Sequence, residues 1–224
     1  MRRLGTDYVD LYLLHHRDEG TPPAAIAEVM QDLVAAGKTR YWGLSNHSAA
    51  ETAAFLKAFL GLFAMMCVHL VTLRHVGFDG AAHNGRLVVH ADVVDDVRSV
   101  FRRLYRAGFA IRRMRLVDSY GASDRRSMAA NNSSAYNCRV VEGSTSWSAH
   151  AYGRAIDVNP RLNPFVDRRG DYQPANAAPW VDRTRTEPGM LHDGDAAVLA
   201  FTDRGWTWGG HWRTPLDYQH FELP

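Results

Sequence analysis

Up to about residue 66 the chain alternates strand-like and helix-like segments, and beyond that point the alternation stops. Residues 6–15, TDYVDLYLLH, are rich in β-branched and aromatic side chains and short enough for one buried strand. A helix is expected next. Thr21 can cap it, Pro22 suits its first turn, Ile26, Val29, Met30, Leu33 and Val34 share a face, and Gly37 ends it. TRYWGLSN reads as a second strand, and Ser48 opens a second helix with Glu51 placed for a capping box. Two βα units in tandem imply parallel strands. The apolar run AFLGLFAMMCV, residues 58–68, is about half of the roughly 20 residues a membrane helix needs, so a buried helix end is expected there.

From about residue 68 the pattern is different. LVTLRHVGF, the turn DGAAHNG and RLVVHA suggest a hairpin-like or crossed β pair. Asp92 then caps a helix with Val94, Val97, Val100, Phe101 and Leu104 inward and Arg98, Arg102 and Arg103 on a solvated face, ended by Gly108. A strand near IRRMRLVD leads into GASDRRSMAANNSSAYNCR, which has too few apolar residues for a core element. Irregular stretches of this length inside a compact domain are usually functional.

Bulk properties exclude some roles. A net charge of +2 and a pI near 8.6, with no long Lys/Arg run, give no footprint for nucleic acid. Cys67 and Cys138 are too few for a disulfide scaffold, and no Cys-x-x-Cys pair is present. The N-terminal LGTDYVDLYLLHH carries two aspartates and two histidines where an export signal has its apolar core, so no signal peptide is read there.

Chemistry concentrates in two segments. SAHAYGRAID holds His150 and Asp157, and DYQHFE holds Asp217 and His220. A catalytic zinc takes three N or O ligands and keeps one position open, and His150, Asp157 and His220 would supply that set. Asp217 is then free to act as general base and later acid. A histidine and an aspartate seven positions apart are weak evidence alone in a chain with 11 histidines, but Ser148, Gly153, the strand-like AIDVN and GWTWGGHW accompany them. Trp206, Trp208 and Trp212 are expected mainly to pack the core, with substrate contact as the alternative. The histidines at 69, 75, 83, 90, 192 and 211 lack a carboxylate at recognisable spacing, although His211 is near enough to contact substrate.

Two resemblances follow. RRLGTDYVDLYLLHH, LVAAGKTRYWGLSN and the Ser48 helix resemble part of an aldo-keto reductase, in which a histidine matching His15 helps polarise a carbonyl. The catalytic tyrosine, its lysine partner and the nicotinamide-binding strands of that family have no match, and a full (β/α)8 barrel takes about 250 residues. The segment is therefore expected to be a fused remnant. Ser-x-His-x-x-Gly-x-Ala-x-Asp, Trp-x-Trp-Gly-Gly-x-Trp and Asp-x-x-His-Phe are similar to the D-alanyl-D-alanine carboxypeptidase family over about residues 70–223. That resemblance implies one zinc ion on His150, Asp157 and His220, a peptidoglycan stem peptide as substrate, and a cell-wall or extracellular setting. It puts Asp217 where many members have glutamate. It also implies an arginine that holds the substrate carbonyl; Gly121 follows Ser119 and Tyr120 where that arginine usually stands, so Arg139 is the first candidate, with Arg125 and Arg126 behind it. Ser148 is expected to orient the loop or the substrate, because a histidine ligating zinc has no lone pair left to activate a nucleophile.

The expected fold is α+β: a zinc peptidase domain, residues 67–224, with a small central antiparallel sheet flanked by helices, preceded by a βαβα fragment of a (β/α)8 barrel, residues 1–66. The expected function is zinc-dependent hydrolysis of an amide bond in cell-wall peptides. The rivals are a zinc-retaining binding module of the kind found in the hedgehog signalling domain, and an oxidoreductase built on the N-terminal piece. No nucleic-acid partner and no membrane span are expected.

Overall fold

The computed structural model describes residues 8–15, 20–45, 68–141 and 146–223. The chain divides into two compact units, Met1–Met66 and Cys67–Pro224. The Ser48 helix, most of the apolar run before Val68, His16 and Cys67 lie outside the described residues.

In the first unit, β1 (Val9–Leu14) and β2 (Thr39–Leu44) pair in parallel, with Val9 opposite Thr39 and Leu14 opposite Leu44. Helix α1 (Pro23–Ala35) connects them. Its cap is Pro22, not Thr21, and no side chain caps it. Proline at the cap and at the first helical position fixes φ near its helical value and removes an N–H that would otherwise need a partner. Ala27 and Met30 are the buried residues of α1, while Val29 is 58% exposed, so the apolar face is narrower than the sequence spacing suggests. Gly37 ends the helix with a left-handed φ of 66°. Leu11, Tyr12 and Leu13 of β1 are exposed, so β1 presents apolar side chains to solvent on both of its faces, while Thr39 of β2 is buried.

The second unit is mixed α+β with small sheets. β3 (Val68–Val76) and β4 (Ala82–His90) form an antiparallel hairpin. Its turn is tighter than DGAAHNG suggests: Gly77 N–H donates to Ala81 O, and the Asp79 carboxylate accepts the Ala81 N–H, so His83 and Asn84 already belong to β4. Val71 and Leu73 of β3 and Leu87 and Val89 of β4 are buried with α2 (Val94–Arg106), whose Val97, Val100, Phe101 and Leu104 are also buried. Asp92 does not cap α2. A short 3-10 turn, Ala91–Val93, comes first, the His90 ring accepts the Asp92 N–H, and the Asp92 carboxylate pairs with Arg154 at 2.6 Å. Helix α4 (Ala196–Thr202) packs on α2 and places Phe201 edge-on to Phe101 and stacked 3.9 Å from Phe221. Phe221 belongs to the three-stranded sheet β10-β12-β7, in which β10 is Thr207–Trp208, β12 is His220–Glu222 and β7 is Ala155–Asp157.

The polar stretch after residue 120 differs from expectation. It contains helix α3 (Asp124–Ala129), capped by Ser123, and strand β6 (Asn132–Ser133), parallel to β5 (Arg113–Met114). Ser127, Asn131, Asn132, Ser133, Ser134 and Asn137 are buried. Amide side chains make this tolerable: Asn132 accepts from the Arg115 N–H at 2.8 Å and donates to Arg115 O and Ser127 Oγ, both at 2.9 Å. The remaining short strands, β8 (Phe165–Val166), β9 (Tyr172–Gln173) and β11 (Leu216–Asp217), form the sheet β11-β8-β9. Among the described residues no helix is long and apolar enough to cross a membrane.

Candidate metal centre

His150 stands on a 3-10 turn, Ala149–Tyr152, whose cap is Ser148; the Ser148 hydroxyl accepts the His150 N–H at 3.3 Å. Gly153 closes the turn with φ 67°, and a Cβ there would lie 2.6 Å from the His90 nitrogen, so only glycine lets the chain pass β4 and enter β7. β7 ends on Asp157, and β12 pairs with it so that His220 faces Asp157.

The three side chains converge. His150 Nε2 lies 3.2 Å from Asp157 Oδ2, His220 Nδ1 lies 3.1 Å from Asp157 Oδ1, and the two histidine nitrogens are 3.2 Å apart. All three are buried, and one ligand atom from each falls within 4.8 Å of the others. The outer ring nitrogens are already engaged. His150 Nδ1 donates to Ala135 O at 2.6 Å, and His220 Nε2 donates to Glu222 Oε2 at 3.2 Å. The inner nitrogens are thereby left as acceptors, facing each other and a carboxylate, and three buried acceptors at this spacing repel unless a cation sits among them. The donor set therefore fits a divalent metal of the zinc type.

The electrostatics agree. Burial works against an ionised Asp157, but the charge and hydrogen bond of His150, then those of His220, hold it well below the usual carboxylate range. Burial also opposes a charged His220, yet the hydrogen bonds to Asp157 and Glu222 push it up to about 10.

Asp217 ends β11 and lines the same cavity, of about 600 Å³, as the three donors. Its Oδ1 is buried without a hydrogen-bond partner, and burial pushes the carboxyl up to about 6, with His220 pulling it down and Asp157 adding to the rise. Arg139 and Arg125 also line the cavity; Arg126 is not part of the lining, its N–H being the one that Ser123 caps. Arg139 is ion-paired through Nε to Asp124 at 2.9 Å. The tryptophans divide: Trp206 and Trp208 are core residues, while Trp212 lines the cavity with its ring 5.4 Å from His220.

Some sequence expectations need correction. Four of the other histidines do have carboxylate partners: His83 with Asp79, His90 with Asp92, His192 with Asp195 and His211 with Asp193. His211 is thus engaged at 2.7 Å and is not among the residues lining the cavity. Glu222 and the Ala135 carbonyl went unnoticed in the sequence. Glu222 was within reach, because residues two apart on a strand share a face and it follows His220 by two. The Ala135 carbonyl carries no sequence signal. His15, in the first unit, is exposed just after β1.

Three buried N and O donors beside a further carboxylate and an open cleft are the components of a mononuclear metallohydrolase centre. Residues 142–223 match the family described as D-alanyl-D-alanine carboxypeptidase, whose peptidases are zinc-dependent, and this supports a peptidase-type role. Residues 1–76 match the aldo/keto reductase family. Among individual relatives, aldo-keto reductase YhdN of Bacillus subtilis (strain 168) is 46% identical over 55 residues, 25% of this chain and 17% of that protein. Methylglyoxal reductase YeaE of Escherichia coli (strain K12) is 47% identical over 51 residues, 23% of this chain and 18% of that protein. The chain thus spans less than a fifth of the length of these curated relatives. No solved structure matches significantly.

Proposed function

We propose that the second unit is a zinc-dependent peptidase acting on peptidoglycan stem peptides, most simply as a D-alanyl-D-alanine carboxypeptidase. The observation that carries this reading is the convergence of the inner nitrogens of His150 and His220 on Asp157, with both outer N–H groups already donated. The family match over residues 142–223 supports the substrate class.

A zinc ion held by these three residues would polarise the scissile carbonyl and make water a better nucleophile at neutral pH. Asp217, with its unpartnered Oδ1, takes a proton from the attacking water and returns it to the leaving amine. Arg139, which lines the cavity and is ion-paired to Asp124, holds a substrate carbonyl and the charge that develops there. Ser148 acts on the loop: its hydroxyl holds the turn that presents His150. Trp212 forms a wall against which a peptide packs.

The first unit is read as a βαβα fragment of a (β/α)8 barrel, supported by its parallel pair and by relatives that it covers only in part. No carbonyl reduction is expected from it.

The test is mass spectrometry of peptidoglycan stem peptides incubated with the zinc-loaded protein, beside Asp217→Ala and a chelated control. Loss of one terminal alanine, absent in both controls, establishes the carboxypeptidase. An internal cut establishes an endopeptidase at the same centre. Zinc bound without any cleavage moves the assignment to a binding module.

A further inference from the structure

The β3–β4 turn and β5 enclose a second cavity, of about 230 Å³, that shares no lining residue with the metal centre. His75, Asp79 and His83 line it from the hairpin, and Arg112, Arg113 and Arg115 from the segment of β5. We propose that this cavity is a binding site for a phosphate group.

Charge is the first argument. Asp79 is the one carboxylate in the lining, and it is already used: His83 Nε2 lies 2.9 Å from both of its oxygens, and the Ala81 N–H donates to Oδ1. Three guanidinium groups remain. Arg113 spends one N–H on Ala130 O, whereas the side chains of Arg112 and Arg115 have no partner among the described residues. Such a concentration of cations attracts an anion.

Preorganisation is the second. The Arg112 N–H donates to Asn159 Oδ1 at 3.0 Å and the Arg115 N–H to Asn132 Oδ1 at 2.8 Å, and both asparagines are fully buried. Both arginines are thus launched from fixed backbone. On the opposite wall the Asp79 carboxylate and the His83 ring fold back over Gly77, where a Cβ would lie 2.5 Å from Asp79 Oδ1 and 2.6 Å from the His83 ring.

The third is the chemistry of the lining. His75 and His83, 5.7 Å apart between ring centroids, line it from the hairpin and the arginines line it from the segment of β5. Imidazole and guanidinium groups suit a tetrahedral oxyanion, which offers acceptors in several directions, better than a planar carboxylate. The phosphate could be the free ion or a phosphodiester within a polymer.

The test is NMR of the full chain, titrated at constant ionic strength with inorganic phosphate, with a short glycerol-phosphodiester oligomer, and with chloride as control. Saturable shifts of the His75 and His83 rings are expected, with affinity about tenfold weaker in Arg112→Ala/Arg115→Ala and unchanged in His150→Ala. The two arginines are surface residues whose backbone bonds survive substitution, and circular dichroism checks the fold. Saturation by phosphate alone assigns the free ion, and saturation by the oligomer assigns the polymer. No saturable shift, shifts reproduced by chloride, or shifts lost in His150→Ala would each overturn the proposal.

Discussion

His220 and Asp157 face each other in register across the antiparallel strands β12 and β7, with His220 Nδ1 3.1 Å from Asp157 Oδ1. The other carboxylate oxygen takes His150 Nε2 at 3.2 Å, so Asp157 bridges two imidazoles that come from segments 70 residues apart. A site assembled this way exists only in the folded chain, and a metal that binds it stabilises the fold. One zinc per chain is expected by elemental analysis. Saturating zinc should raise the melting temperature, and His150→Ala or His220→Ala should weaken zinc binding by about 100-fold or more. Equal zinc affinity in the wild type and in these variants would remove the metal centre from the account.

Asp217 sets the expected acid limb of activity. A general base must be ionised to work, and burial lifts this carboxyl to about 6, so kcat/KM should rise with pH and level off above that value. Bound zinc, being positive, would pull the limb lower. The sign for stability is opposite. The folded value lies above the unfolded one, near 3.9, so the unfolded state ionises first and metal-free stability falls as pH rises from about 4 to 6. Asp217→Asn should therefore lose about 100-fold or more in activity while melting at or above the wild-type temperature at pH 7. Loss of both together would make Asp217 a structural residue.

Glu222 should tune the metal through His220. Its Oε2 accepts the His220 Nε2–H and fixes which nitrogen turns inward. Glu222→Gln keeps the shape and removes the charge; zinc affinity, read by competition with a chelator, should fall about tenfold or more. His150 should be indifferent, since its outer N–H goes to the Ala135 backbone.

Gly209 places Asp217. A Cβ there would lie 2.5 Å from Asp217 O and 2.9 Å from Asp217 Cβ, so Gly209→Ala has to push β11 aside. Activity should drop with zinc binding retained, because the ligands lie on β12, β7 and the His150 turn and not on β11. Loss of zinc along with activity would mean the displacement reaches β12.

What could be read beforehand followed from periodicity and spacing. The parallel pair β1 and β2, the apolar face of α2 at Val97, Val100, Phe101 and Leu104, and the hairpin itself are patterns of neighbouring residues. The stretch from Gly121 to Arg139 reads as irregular because it has few apolar residues, yet much of it is buried. Asn132 satisfies the backbone of Arg115, a partner 17 positions away, and such pairing leaves no local trace. The same limit hid Ala135 O as the partner of His150 and the engagement of His211 by Asp193. Nor does spacing show that Arg139 reaches the cavity already paired to Asp124.

Asn159 tests whether buried amides hold this unit together. It is fully buried, two residues beyond Asp157, with φ 46°. Its Oδ1 accepts from the Arg112 N–H, its Nδ2 donates to Ala110 O at 2.8 Å and Gly189 O at 3.0 Å, and its own N–H donates to Ser133 Oγ at 3.0 Å. Asn159→Ala abandons the Arg112 N–H and the Ala110 carbonyl, leaves Gly189 O to Asn163 alone, and puts a less tolerant residue in a left-handed conformation, at a cost of about 3–5 kcal/mol. For a unit of this size that corresponds to a fall of roughly 10 °C in melting temperature. Asn159→Gly loses the same hydrogen bonds without the backbone strain and should be milder by about 1 kcal/mol. If both variants melt like the wild type in urea and thermal scans, water replaces these bonds at no cost and the polar interior is not what fixes β7. If alanine and glycine fall equally and far, the hydrogen bonds carry the whole effect and the left-handed φ contributes nothing.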